Sequence, residues 1–398
     1  GRLPLLTALP TRTRIPQLDA LRAVAILLVL GRHLPRMPGP NARRVWAFGA
    51  NLWHRVGWVG VDLFFVLSGF LVAGLLFSEY RERGAVNIRR FLVRRGLKIY
   101  PPFYLMLAVT VAAGLAFGEP IPVKALIGEA FFLQSYTPRL WVSTWSLAVE
   151  EHFYILLALI VTGLIAFMRV RPLRVIPAVF LIVAPLALAA RIHVSHGEPF
   201  SDNAQLYPTH LRIDSLLFGV LLAYFHHFHA DRMAAGVKKF RALLIVAGIT
   251  LVAPALKLDV SNPFMHTIGL TFLYLGFGML LLVAIHSKSA GESRTVAAFG
   301  RMGAYSYSIY LWHLPFSACM PRAMALLPGG PVSSITTVAI YVSGSVVVGI
   351  IMAKLVELPV LRLRDRLFPT RTPGLAAADP TSAGRVAWHR HPAHELIG

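Results

Sequence analysis

The chain has 398 residues, of which 56% are hydrophobic and only 14% charged, and its mean hydropathy is +0.63. That balance excludes an ordinary soluble domain, and apolar blocks of about twenty residues recur along the chain, so the expected fold class is an all-α, polytopic membrane protein. The net charge of +21 invites a nucleic-acid reading, but the cations are distributed as membrane topology requires, and no nucleic-acid partner is expected. The single cysteine, Cys319, rules out an intramolecular disulfide and a cysteine metal cluster. It is expected to be a buried structural thiol.

About ten transmembrane helices are expected, at roughly 17–34, 58–78, 99–117, 145–168, 173–190, 209–228, 240–257, 264–286, 303–327 and 333–356. Residues 123–136 are apolar but too short to cross, and are expected to be re-entrant or interfacial. With the N-terminus in the cytoplasm, 27 of the 39 Lys and Arg residues fall in cytoplasmic segments and ten in external ones. The positive-inside rule then puts both termini in the cytoplasm. The external loop 35–57 runs against the bias with four arginines, and its Trp46, Trp53 and Trp58 read as an interfacial cap. Residues 1–33 imitate a signal peptide, but no small-residue cleavage site follows, so the segment is expected to be retained. Residues 1–16 are assigned as a cytoplasmic segment, 17–368 as the transmembrane domain, and 369–398 as a cytoplasmic tail. The tail is rich in Pro, Thr, Ala and Gly and is expected to be disordered. Its His389, His391 and His394 are read as solvated side chains, and no metal site is expected.

Charges inside the spans carry the functional reading, because ionisable groups at membrane depth are costly and usually face a protein interior or a watery cavity. The first span, LDALRAVAILLVLGRHL, holds Asp19, Arg22, Arg32 and His33. Asp19 and Arg22 are three apart and can pair on one face. Arg22 and His33 are eleven apart, on one face and about 16 Å apart along the axis. The second span contains GVDLFFVLSGF, with Asp62 near its start and the small Ser68 and Gly69 where helices can approach closely. Between the second and third spans lies IRRFLVRRGLKIYPP. Its plain reading is a positive-inside cluster, but on a helix Arg94, Arg95 and Lys98 form a face suited to an anionic ligand, the Arg forks to phosphate above all. The fourth span opens WSLAVEEHFY: Trp145, then two adjacent carboxylates, Glu150 and Glu151, followed by His152. That run is hard to explain by packing, and Glu150 is expected to pair with His33 or with Arg22. The sixth span begins THLRIDSLLFG with Arg212 and Asp214, and the ninth YSIYLWHLP with His313. Taken alone, His313 reads as a satisfied core histidine.

These six motifs, in this order on a ten-span frame, resemble the acyltransferase family 3 integral membrane proteins. The resemblance runs from about Leu18 to Pro359. It implies transfer of an acyl group, acetyl by default, from acyl-CoA to a hydroxyl, commonly on a sugar. It implies that Arg22 and His33 are needed for transfer, and that Arg95 and Lys98 lie in the motif linked to coenzyme A. Lys98 stands where the family more often has Arg, keeping the charge without the bidentate fork. Many relatives carry a further soluble esterase-like domain; none is expected here, so the acyl group is expected to pass directly to the acceptor or to a separate protein. Imidazole has the intrinsic pKa of a general base near neutrality. Together, His33, Arg22, Glu150 and Asp19 are assigned to catalysis, and Arg94, Arg95, Lys98 and Ser68 to the acyl-CoA donor. Asp62, Trp145, Arg212 and His313 are assigned to the acceptor: a polysaccharide, a glycolipid or a glycosylated metabolite such as a macrolide. The expected location is the bacterial cytoplasmic (inner) membrane, with the lipid bilayer as partner. The competing reading is a proton-coupled transporter or flippase for a sugar-bearing or acylated metabolite, which the same buried charges would suit.

Overall fold

A computed structural model describes residues 15–35, 44–168, 172–197, 199–287, 293–325 and 333–369. The tail histidines and residues 1–14 lie outside these. Among the described residues the structure is helical, with no strand: α1 (Pro16–Arg32), α2 (Arg44–Val56), α3 (Gly60–Arg83), α4 (Ile88–Phe117), α5 (Val123–Ala130), α6 (Trp145–Phe167), α7 (Ile176–Gly197), α8 (Ile213–Phe228), α9 (Ala230–Lys239), α10 (Arg241–Val252), α11 (Leu270–Ile285), α12 (Arg294–Gly303), α13 (Ser306–Ala325), α14 (Ser334–Met352) and α15 (Leu358–Leu367).

Among the described residues, six helical segments are long and apolar enough to cross a membrane, seven if the pair α9–α10, bent by 80°, counts as one. The chain is therefore an integral membrane protein. Each of the ten expected spans has a helix, but α1 and α8 run to only 17 and 16 residues. The polar side chains of α13 lower its hydropathy below a clear span. Helix α5, with eight residues, is too short to cross. It buries Ala125, Gly128 and Glu129 and exposes Val123 and Ile127.

Helix α3 is the central pillar. Of its most apolar window 72% is buried inside the protein, against 22–44% for the other five segments. It packs against α8 at a glycine crossing. A Cβ at Gly69 would meet the carbonyl oxygen of Leu216, and one at Gly219 the carbonyl oxygen of Val66, so both backbones need glycine to come this close. Two buried ion pairs tie the same region together. Arg191 on α7 grips Asp214 through both carboxylate oxygens, at 3.0 and 2.8 Å, and also donates to Leu211 O and Thr271 Oγ1. Arg212 holds Asp62 of α3 at 2.7 Å, with the rings of Phe65 and Trp145 5.5 and 5.6 Å from its guanidinium carbon.

Local sequence explains where α3 ends and α4 begins. Asn87 caps it, its side chain accepting from Arg90 N at 2.8 Å. The preceding helix, α3, stops at Gly84 in the left-handed region, φ 68°. Cys319, expected to be buried, is exposed on α13. In a bilayer-facing helix an apolar neighbourhood in sequence marks contact with lipid as readily as contact with the core.

Candidate active site

Four helices surround a half-open cavity of about 60 Å³. Each contributes one face at helical spacing. Helix α3 supplies Val61, Phe64, Phe65 and Ser68; α6 supplies Ser146, Leu147 and Glu150; α13 supplies Ser306, Tyr307 and Tyr310; α1 supplies Arg22. Positions i, i+3, i+4 and i+7 fall on one side of a helix, so each set points inward together.

A carboxylate sits in the wall. Glu150 Oε1 accepts from Ser68 Oγ at 2.7 Å and Oε2 from Tyr154 OH at 2.8 Å. Arg95 lies over the Tyr154 ring, 4.7 Å from its centroid, and feels both Glu150 and Arg22 electrostatically. Lys98, one turn on, is in electrostatic range of Arg22, Glu357 and Arg95. Arg22 keeps Asp19 beside it at 3.8 Å, the i, i+3 pair that the sequence suggested. Three cations from α1 and α4 thus gather at one end of the cavity, with Glu150 and Glu357 balancing them in part. Glu151 turns away to Tyr100, which donates to it. Arg94 leaves the group as well: it holds Asp365 of α15 at 2.9 Å and donates to Phe368 O.

Two imidazoles meet beyond Tyr310, outside the cavity lining. His33 Nδ1 lies 3.0 Å from Val29 O and 3.3 Å from His313 Nε2. His313 is fully buried, and its Nδ1 lies 2.6 Å from Tyr310 O. A carbonyl only accepts, so each ring must carry its proton on Nδ1. His33 then donates to Val29 O and to the lone pair of His313 Nε2, which leaves His33 Nε2 unprotonated with no hydrogen-bond partner among the described residues. Tyr310, between the imidazoles and the cavity, donates from its hydroxyl to Ser143 O at 2.7 Å and meets Ser146 Oγ at 2.6 Å. The arrangement offers a proton acceptor, a cavity wall bearing hydroxyls and a cationic end, which is what a transfer between an alcohol and an anionic donor requires.

The chain matches a family model described as an acyltransferase domain over residues 15–354. It belongs to this acyltransferase family. The peptidoglycan O-acetyltransferase OatA of Listeria monocytogenes is 27% identical over 333 residues, 77% of this chain and 50% of that protein. The O-acetyltransferase OatA of Staphylococcus aureus is 28% identical over 325 residues, 76% of this chain and 50% of its own length. The chain spans about half the length of these relatives. No solved structure matches it.

Within this acyltransferase the residues singled out in the sequence fall into three places. Arg22, Ser68 and Glu150 line one cavity, with Arg95 and Lys98 close to its cationic end. His33 and His313 form the imidazole pair, not among the cavity-lining residues. Asp62 and Arg212 are buried in an ion pair, and Trp145 is stacked on Tyr207 at 4.7 Å; these three pack the wall between α3, α6 and α8. Glu150 bonds neither His33 nor Arg22, though Arg22 acts on it through space. Sequence reasoning passed over Tyr154, Ser146, Ser306, Tyr307 and Tyr310. The signal was present as spacing: Ser146 with Glu150, and Ser306 with Tyr310 and His313, stand at i, i+4 and i+7. Among the described residues, no group of His, Cys, Asp and Glu is placed to hold a metal.

Proposed function

We propose that this protein is a membrane O-acyltransferase that moves an acyl group, acetyl in the first instance, from acyl-CoA to a hydroxyl of a carbohydrate acceptor. His33 is the general base. The observation that carries this reading is the imidazole pair, whose hydrogen bonds leave His33 Nε2 as a proton acceptor. The names of the relatives favour a polysaccharide over a glycolipid or a glycosylated metabolite.

The residues fit an acyl-CoA donor in chemistry. Arg22, Arg95 and Lys98 suit phosphates, and a cavity lined alternately by aromatic rings and hydroxyls suits a thin arm carrying amides. The donor supplies an activated acyl carbon and a thiolate leaving group. His33 Nε2 takes the proton of the acceptor hydroxyl as its oxygen attacks the thioester carbon. Proton uptake makes the ring a cation, and Val29 O and His313 Nε2 then hold its Nδ1–H more strongly than before. When the carbon–sulfur bond breaks, His33 returns the proton to the thiolate. Asp19 keeps Arg22 extended toward the cavity, and Glu150, fixed by Ser68 and Tyr154, limits the repulsion among the three cations. The protein works in the bacterial cytoplasmic membrane with both termini inside, so the donor enters from the cytoplasm and the acceptor from the outer side.

The test uses purified protein in nanodiscs, given acetyl-CoA and a panel of peptidoglycan fragments and other glycans. Acceptor-dependent release of free CoA, with an acetyl-sized mass gain on the acceptor, is expected. A protein that neither acylates any glycan nor hydrolyses the donor, yet moves substrate across vesicles, is a transporter, and the enzyme reading fails.

A further inference from the structure

Ser306 opens α13 and lines the cavity. It is only 1% exposed, and its hydroxyl has no hydrogen-bond partner among the described residues. A buried hydroxyl left unpaired costs free energy comparable to a lost hydrogen bond, and here it borders a cavity that a ligand could fill. Ser306 also lies on the same face of α13 as Tyr310 and His313. Its distance from His313, and so from the level of His33, is seven residues, roughly 10 Å along the helix axis.

That offset decides which part of the donor Ser306 can touch. With the thioester carbon at His33, the first amide nitrogen of a pantetheine arm is four bonds away and the second eight. An extended chain of eight bonds spans roughly 10 Å, and the fourteen bonds to the first phosphorus span roughly 17 Å. The first length matches the level of Ser306. The second matches Arg22, about 16 Å from His33 along α1.

We infer that Ser306 is a donor-binding residue whose hydroxyl pairs with the second, pantoyl-side amide of the pantetheine arm. The cavity is thereby a gauge of arm length that registers the thioester at His33. This rests on the acyl-CoA reading above.

Truncated donors test it. S-acetylpantetheine carries both amides and no nucleotide; S-acetyl-N-acetylcysteamine carries only the first. Ser306→Ala should lower kcat/KM about tenfold for acetyl-CoA and for S-acetylpantetheine, and leave S-acetyl-N-acetylcysteamine unchanged. Ser306→Thr, which keeps the hydroxyl, should recover most of the loss. Where the truncated donors turn over too slowly, pantetheine and N-acetylcysteamine as competitors against acetyl-CoA give the same contrast. Thermal unfolding of each variant confirms the fold. An equal loss on all three donors, or none on any, overturns this inference alone. Failure of the wild-type protein to use acetyl-CoA overturns the donor reading, and this inference with it.

Discussion

Replacing His313 by Leu removes the lone pair that faces His33 while keeping most of the buried volume. In the native site the His33 Nδ1–H has two acceptors, Val29 O at 3.0 Å and His313 Nε2 at 3.3 Å. Both bonds become charge-assisted when Nε2 takes the proton. Losing one such bond costs about 1.5–3 kcal/mol, so turnover at saturating donor and acceptor should fall roughly 10- to 150-fold. Donor affinity should be unchanged, because His313 is not among the residues lining the cavity. His313→Gln should recover part of the loss, since its amide oxygen can accept from His33. His33→Gln has no base at all and should lose on the order of 10²–10⁴ in rate. The two positions act as a unit, so His33→Gln/His313→Leu should be no slower than His33→Gln. The assay is CoA release in nanodiscs, with thermal unfolding run in parallel. A folded His313→Leu enzyme within twofold of wild type, or losses that multiply in the double variant, would refute the paired-imidazole argument. A His33→Gln variant keeping more than about a tenth of wild-type turnover would remove His33 from the base role.

Other predictions concern the donor end, the core and the topology. Arg95→Ala should raise the KM for acyl-CoA by an order of magnitude or so, while Arg94→Ala, whose side chain is engaged with Asp365, should change it little; titrating donor into each purified variant separates the two. Arg212→Ala leaves Asp62 buried without its partner and should destabilise the protein by about 3–5 kcal/mol, whereas Asp62→Leu/Arg212→Met should recover much of that on thermal unfolding. Gly219→Ala forces a Cβ onto Val66 O and should cost about 1–3 kcal/mol by the same measurement. In a Cys319→Ser background, a cysteine at position 84 should resist an impermeant thiol reagent in intact cells; labelling there would invert the proposed topology.

Much of the fold is written locally. The apolar blocks dictate helices and their approximate number, Asn87 and Gly84 mark helix ends, and the Asp19–Arg22 pair follows from spacing within one helix. The motif order was enough to suggest the family. Spacing also says which side chains share a face, as for Ser146 with Glu150 and Ser306 with His313. It does not say what each face meets. His33 and His313 are 280 residues apart, Ser68 and Glu150 are 82 apart, and only the packing of α1, α3, α6 and α13 brings them together. The same limit applies to the charges. Arg94, Arg95 and Lys98 lie within five residues, yet Arg94 turns to α15 while the other two stay near the cavity. Asp62 and Arg212, which read as candidate ligand contacts, neutralise each other across α3 and α8. In an apolar interior a charge is costly unless it finds a partner or faces a cavity, so sequence can announce that intramembrane charges such as Asp62 and Arg212 are placed against something. Which residue the partner is depends on helix faces meeting at close range, and only the tertiary structure decides that.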